Sequence, residues 1–416
     1  MTGFRPLLAL ALAVLPASAF AASQPAVEAA NGMVVSSQRL ASEAGVAVLK
    51  AGGNAVDAAV AVGYALAVVN PCCGNIGGGG FMTIHMASGK DTFINFRETA
   101  PGKSTETMYL DAAGNPVKGL SIDGYLAAGV PGTVAGLDYA LDHYGTQPRA
   151  AVMADAIRLA REGFVLGRAD TDILDAKADQ LAKDPEAKRI FLKPDGARFA
   201  PGDRLTQPDL AATLELIAKG GPQAFYRGPV AAKVAAASAA NGGLLSEADF
   251  ANYTVTESKP LTCGYRGYVV ASAPPPSSGG TTICQILNIL EGYDLKAMGF
   301  RSAASVHLMV EAMRHAYMDR NTYLGDPAFV NNPLDRLLSK AYAAEIRKRI
   351  DPAKATPSAE VQPGMLRAQA RMLEPLPPEQ REAFMQMLKV LVDGNNEYSR
   401  APSVPLEPAA DGRRAG

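Results

Sequence analysis

Four consecutive glycines, Gly77 to Gly80, run directly into the β-forming residues Phe81-Met82-Thr83-Ile84. A backbone without Cβ atoms admits close approach by another segment or a ligand, so this stretch has to be covered by something packed nearly backbone to backbone. A second apolar run, Thr92 to Phe96, follows a short turn and delivers Arg97 at its end. The pattern predicts a strand pair that carries one guanidinium to the rim of a site. Immediately upstream, Asn54 to Val69 reads as a helix of small and apolar residues interrupted by Asp57. A helix that is apolar all round must be covered on most sides, which anchors the glycine run in the core.

The remaining chain reads as helices packed on strands. Gly32 to Ser37 predicts a short strand, and Ala41 to Lys50 a helix stopped by Gly52-Gly53. Small residues from Tyr125 to Leu137 again suggest close backbone passage, before a helix ending near Gly145. Ordinary amphipathic helices follow around Val152 to Ala160, Leu210 to Ile217 and Val230 to Ala240. Tyr265 to Ala273 is rich in β-formers and predicts one strand, closed by Pro274-Pro275-Pro276-Ser277-Ser278-Gly279-Gly280. Two more helices are expected: one with Ile283, Ile286, Leu287 and Leu290 on its apolar face, the other with Val306, Met309, Val310, Met313 and Tyr317. The fold class is mixed helix and sheet.

At 416 residues with 48% hydrophobic content, the chain can bury a sizeable core. Its formal net charge of -1 gives no basic field for nucleic acid and no acidic tail. Arg5, the apolar Pro6 to Leu15 and the small residues Ala17 to Ala22 have the three parts of a secretory signal peptide, so residues 1–21 are expected to be removed on export to the periplasm or outside. No later stretch approaches the ~20 uninterrupted apolar residues of a membrane span. Four cysteines stand at 72, 73, 263 and 284. Adjacent Cys72 and Cys73 cannot readily bridge each other, and the pairing is otherwise open. His307 and His315 fall on different flanks of a helix, and no Cys-x-x-Cys metal spacing occurs.

Several chemistries are argued against by what surrounds the motifs. The glycine run lacks a following Gly-Lys-Ser/Thr and leads into a β-like segment, which speaks against a phosphate loop. No Gly-x-Ser-x-Gly nucleophile elbow is present. Arg97 reads either as a fork that grips a carboxylate or as a surface group paired with Glu98.

Six stretches taken together resemble the successive motifs of the γ-glutamyltranspeptidase large subunit. They are Gly52 to Ala61, Gly77 to Phe81, Asn95-Phe96-Arg97-Glu98-Thr99-Ala100-Pro101, Gly129 to Gly136, Pro274 to Gly280, and Tyr323-Leu324-Gly325-Asp326-Pro327. The resemblance spans about residues 32–364, within an expected large-subunit region of residues 22–364. It implies an N-terminal nucleophile hydrolase, an α+β protein built as an αββα four-layer sandwich from a self-cleaving precursor. In that family the N-terminal threonine of the small subunit attacks the γ-amide of glutathione or another γ-glutamyl compound, with its own amine as base. The acyl group then passes to water or to an amino acid or peptide. Arg97 matches the arginine that holds the α-carboxylate, and the chemistry needs no cofactor or metal.

The sequence also departs from that pattern. No threonine occurs after Thr356, and residues 365–416 read as an atypical helical and disordered tail. Within it, Met372 to Arg381 and Leu388 to Val392 are similar to the last helix of MarR-type regulators and equally to a plain amphipathic tail. The expectations are therefore an incomplete sandwich, no catalytic residue in this chain, inactivity of the chain by itself, and dependence on a threonine-led small subunit encoded elsewhere. A non-catalytic remnant, a γ-glutamyl-binding protein and a cephalosporin-acylase-like amidase component are the alternatives. Neither nucleic acid nor a membrane span is expected.

Overall fold

The computed structural model describes residues 26–356; the expected signal peptide and the tail from 365 lie outside them. Residues 26–33 belong to a short unit of their own and contain no helix or strand. The described part of the main unit begins at Val34. The strand expected over residues 32–37 is not formed. Val35 is 81% exposed and pairs with no strand, so β-propensity alone has nothing to act on.

Helix α1 (Arg39–Lys50) packs on α2 (Ala55–Val69), the apolar helix of the sequence reading. Asn54 caps α2 by accepting from the Val56 and Asp57 N–H groups at 2.8 and 3.1 Å, and Asp57 returns the bond from the Asn54 N–H at 2.7 Å. Asp57 is buried because it has a second task, accepting from the Thr146 hydroxyl at 2.7 Å and the Thr146 N–H at 2.8 Å. Burial pushes its carboxyl up, but these bonds outweigh that and hold it below its ordinary value.

Strands β1 (Gly80–His85) and β2 (Asp91–Phe96) form the expected antiparallel pair, with Gly80 opposite Phe96. Helices α3 (Thr133–Tyr144), α4 (Arg149–Glu162), α5 (Pro208–Tyr226) and α6 (Pro229–Ala240) follow; α5 kinks at Gly221, just before Pro222. Strand β3 (Thr256–Ser258) then adds to the free side of β2, so a three-stranded sheet stands beside the helices. The main core joins Val60, Tyr64 and Val68 of α2 to Ile94, Leu137, Met153 and Leu214.

The join between β2 and β3 is fixed by one carboxylate. Glu257 accepts from Thr92 Oγ1 at 2.6 Å, from the Tyr144 hydroxyl, and from the Tyr139 hydroxyl at 2.8 Å, with Lys90 Nζ at 3.9 Å. These donors, Thr92 first, lower its pKa to about 2.

The last third differs from expectation in two places. Residues 265–273 do not form one strand: β4 (Leu261–Tyr265) and β5 (Tyr268–Ser272) make a hairpin. Its two central residues, Arg266 and Gly267, have φ of 48° and 87°, the backbone of a tight hairpin turn. Arginine is seldom the residue that signals such a turn. The helices α7 (Gly279–Leu290), α8 (Ala303–Tyr323) and α9 (Lys340–Arg347) then share a second core of Ile289, Leu290, Leu308, Ala312, Tyr342 and Ile346.

The buried face of α8 is not the one expected, and that of α7 is only partly so: Leu290 is buried and Ile286 packs on the second core. Ile283 is 46% exposed, whereas Cys284, Gln285, Asn288 and Ile289 are buried. On α8, Leu308, Ala312 and Ala316 face inward, and the larger stripe of Val306, Met309, Val310, Met313 and Tyr317 is 42–50% exposed. Alanines let α8 approach α7 closely, so the small-residue stripe outcompetes the bulky one for this contact. Asp319 satisfies two of the inward polar groups, accepting from Gln285 and from the Tyr342 hydroxyl at 3.0 Å.

A disulfide joins Cys263 in β4 to Cys284 in α7, while Cys72 and Cys73 are free and exposed. No helix among the described residues is long and apolar enough to cross a membrane.

Two stability measurements follow from these contacts. Replacing both Cys263 and Cys284 by serine is expected to cost about 3 kcal/mol in urea unfolding, since the bridge closes a loop of 21 residues in the unfolded chain; an unchanged midpoint would count against the pairing. Glu257 has a folded pKa below its unfolded one, so its contribution is full above about pH 4.5 and is lost as pH falls toward 2. Glu257→Gln is therefore expected to flatten the fall in stability across that acid window, and a variant with the wild-type pH slope would remove the clasp as its cause.

Candidate functional site

A cleft of about 850 Å³ is lined by residues from four separate parts of the sequence: Asn95 to Thr99, Tyr253 to Thr256, Pro275 to Ser278, and Arg320 to Asp326. Three of these contain motifs singled out by sequence. The fold thus brings the end of β2, the proline-serine connection and the Leu324-Gly325-Asp326 turn to one place.

Arg97 reaches this cleft through its backbone. Its N–H donates to Asn95 Oδ1 at 3.0 Å, and its carbonyl accepts from the Tyr253 hydroxyl at 2.9 Å. The glycine run explains how the chain can pass so closely. A Cβ at Gly79 would lie 2.5 Å from the Phe96 carbonyl oxygen and 2.6 Å from the Glu98 nitrogen. One at Gly132 would collide with the same Phe96 oxygen and with the Tyr253 hydroxyl. Gly132 and Thr133 in turn donate their N–H groups to the Gly78 carbonyl at 2.7 and 3.0 Å. Thr99 and Val130 exchange backbone hydrogen bonds at 2.8 and 3.3 Å, which closes the other side of the segment.

Tyr253 belongs to an aromatic stack that the sequence reading missed. Its ring lies 5.7 Å from that of Tyr226, nearly parallel, and the Tyr226 hydroxyl donates to the Pro131 carbonyl at 2.9 Å. Burial pushes the Tyr253 phenol up, and the nearby Tyr226 and Glu98 push it the same way, so it stays a neutral donor. The arginine, the glycines and the tyrosine pair form one connected support.

The Arg97 guanidinium is exposed and makes no ion pair among the described residues. The Phe81 ring lies beside it, with its centroid 6.0 Å away. The surface pairing with Glu98 that sequence left open is not formed. A second guanidinium was not foreseen: Arg320, in the last turn of α8, donates to Ser278 Oγ and Asn321 Oδ1, both at 2.8 Å. Glu98 and Asp326 add two carboxylates to the lining. Asp326 also orders its own turn, accepting from the Ala328 N–H at 2.9 Å. A cleft with both signs of charge, and arginines with donors to spare, suits an amino-acid-like ligand carrying carboxylate and ammonium groups.

Thr356, the threonine nearest the end of the sequence, is not in the cleft. Its N–H and hydroxyl donate to buried Glu311 at 3.2 and 2.5 Å, and its carbonyl accepts from Arg314 at 2.6 Å. These bonds give it a structural place.

The sequence profile described as gamma-glutamyltranspeptidase matches residues 41–394. A glutathione hydrolase proenzyme of Pseudomonas sp. (strain A14) is 55% identical over 87% of this chain and 63% of its own length. An acylase ACY 1 proenzyme of Pseudomonas sp. (strain SE83) is 43% identical over 81% of this chain and 61% of its own length. The chain thus spans about three-fifths of the length of these curated relatives. Among solved structures, that of Helicobacter pylori gamma-glutamyltranspeptidase superposes with a TM-score of 0.80 at 46% identity, over 82% of this chain and 98% of that one. The α+β expectation holds, and the fold is that of an N-terminal nucleophile hydrolase. On sequence and fold together, the chain belongs to the γ-glutamyltranspeptidase family.

Proposed function

We propose that this chain is the substrate-gripping, large-subunit part of an exported γ-glutamyltransferase/glutathione hydrolase, working in the periplasm or outside the cell. The observation that carries the reading is Arg97, a guanidinium held by its backbone at the mouth of a cleft built from the family's motifs, with no carboxylate partner among the described residues. Its planar fork can donate two parallel N–H bonds to both oxygens of a γ-glutamyl α-carboxylate. That fixes one end of the substrate and sets the γ-amide at a constant distance from the grip. Attack on the amide then falls to the N-terminal threonine of a small subunit, whose free amine takes the hydroxyl proton. The amide C–N bond breaks as that proton passes to the departing nitrogen, and the acyl-threonine ester is then cleaved by water or an acceptor amine, which regenerates the threonine hydroxyl.

The exposed face of α8 supports the second half of this reading. Val306, Met309, Val310, Met313 and Tyr317 lie at helical spacing over three turns, each more than two-fifths exposed. An apolar stripe of this kind suits a protein partner, and the small subunit is the partner proposed for it. The acylase reading is the alternative, favoured by the 43% identity to an acylase proenzyme. The two differ in the acyl group that the cleft accepts.

Co-expression with a threonine-led small subunit from a relative is expected to yield a complex that releases aniline from a γ-glutamyl anilide. In that complex Arg97→Ala is expected to raise KM on the order of 10- to 100-fold, the effect of losing a charged, two-point hydrogen bond. An unchanged KM would take Arg97 out of the site, and faster turnover of a cephalosporin-type side chain would favour the acylase reading. The double variant Met309→Glu, Met313→Glu is expected to weaken subunit association by at least about tenfold, because two charges would be desolvated at the contact. Co-purification at the wild-type level would place the partner elsewhere.

A further inference from the structure

We infer that Arg320 selects among γ-glutamyl donors, favouring those that carry a second carboxylate on the far side of the scissile amide, as a γ-glutamyl peptide does. The inference rests on the γ-glutamyl reading of the cleft and adds to it a residue that faces the leaving group.

Arg320 lines the same cleft as Arg97 but comes from a different structural support, the end of α8 rather than the end of β2. Its guanidinium is tethered rather than free: Nε donates to Ser278 Oγ and Nη1 to Asn321 Oδ1, and the Tyr317 ring centroid lies 5.9 Å away. Both tethers are neutral, so they orient the fork without cancelling its charge. Arg320 forms no ion pair among the described residues, and the two cleft acids, Glu98 and Asp326, are not within pairing distance of it. Other exposed arginines, Arg158 and Arg189 among them, are paired with an acid, and Arg320 is not. A cleft that keeps two unneutralised guanidinium groups on separate supports, one of them tethered, matches a ligand with two carboxylates. Glutathione has that pattern, one carboxylate on its glutamyl end and one on its glycine end, whereas a γ-glutamyl anilide has only the first. Arg97 serves the carboxylate common to both, which leaves Arg320 for the one that distinguishes them.

The test is calorimetric titration of the full chain with three probes: glutathione, its glycine-amide, and a γ-glutamyl anilide. Wild type is expected to bind glutathione about 5- to 10-fold more tightly than the glycine-amide, the range for one partly exposed charged contact, and added salt should shrink that ratio. Arg320→Gln should bring the ratio to about one while leaving anilide affinity unchanged, Arg320→Lys should keep part of it, and Arg97→Ala should weaken all three probes. A merely structural role for Arg320 would weaken the three probes alike and keep the ratio, which would overturn the assignment. So would a wild-type ratio of one. Failure of wild type to bind any of the probes would instead overturn the γ-glutamyl reading itself, and the assignment with it.

Discussion

The site depends on one steric allowance: the backbone around Phe96, Arg97 and Glu98 is approached by two segments of chain that have no Cβ. Gly79 and Gly132 both come up to the Phe96 carbonyl oxygen, and the Gly78 carbonyl ties the two approaches together through the Gly132 and Thr133 N–H groups. A methyl group at either glycine would meet backbone atoms, which cannot swing aside as a side chain can. The arginine is therefore positioned by main-chain packing. Its own side chain remains free to spend its hydrogen bonds on something else, a division of labour that suits a binding group.

The rest of the first core keeps this arrangement in register. The apolar α2 leads into the glycine run, and its N-terminus is locked by Asn54 and Asp57, with Asp57 also fastening the chain after α3 at Thr146. Because α3 begins at Thr133, directly after the second approaching glycine, the one carboxylate coordinates both segments that close on Arg97. On the other edge, Glu257 gathers donors from β2 and α3 onto β3. Tyr253, three residues before β3, then lands where its hydroxyl meets the Arg97 carbonyl. Local capping, sheet pairing and the arginine support are thus one mechanical chain.

What was legible in the sequence follows from how local each signal is. The β1 and β2 pair, the α2 helix and the placement of Arg97 were readable because glycine content, alternation and helix stops are written within a few residues. Tyr253 and Arg320 were not, since Tyr253 meets Arg97 across 156 residues of chain and Arg320 meets Ser278 across 42. The β4–β5 hairpin was hidden because Arg266 occupies a turn position that the usual Asn or Gly would have announced. The α8 face was misread for a different reason. That helix carries two apolar stripes, one bulky and one of leucine and alanine, and periodicity cannot say which of two faces meets which neighbour.

The bridge between Cys263 and Cys284 gives the cleft an asymmetry. It ties the β4–β5 hairpin to α7, whose first turn continues from Pro275 to Ser278 in the cleft lining, while the Arg97 side is held by packing and hydrogen bonds alone. The two supports therefore differ in kind: the serine-bearing side is stapled by a covalent bond, and the arginine side keeps its place only as long as its glycines stay without side chains.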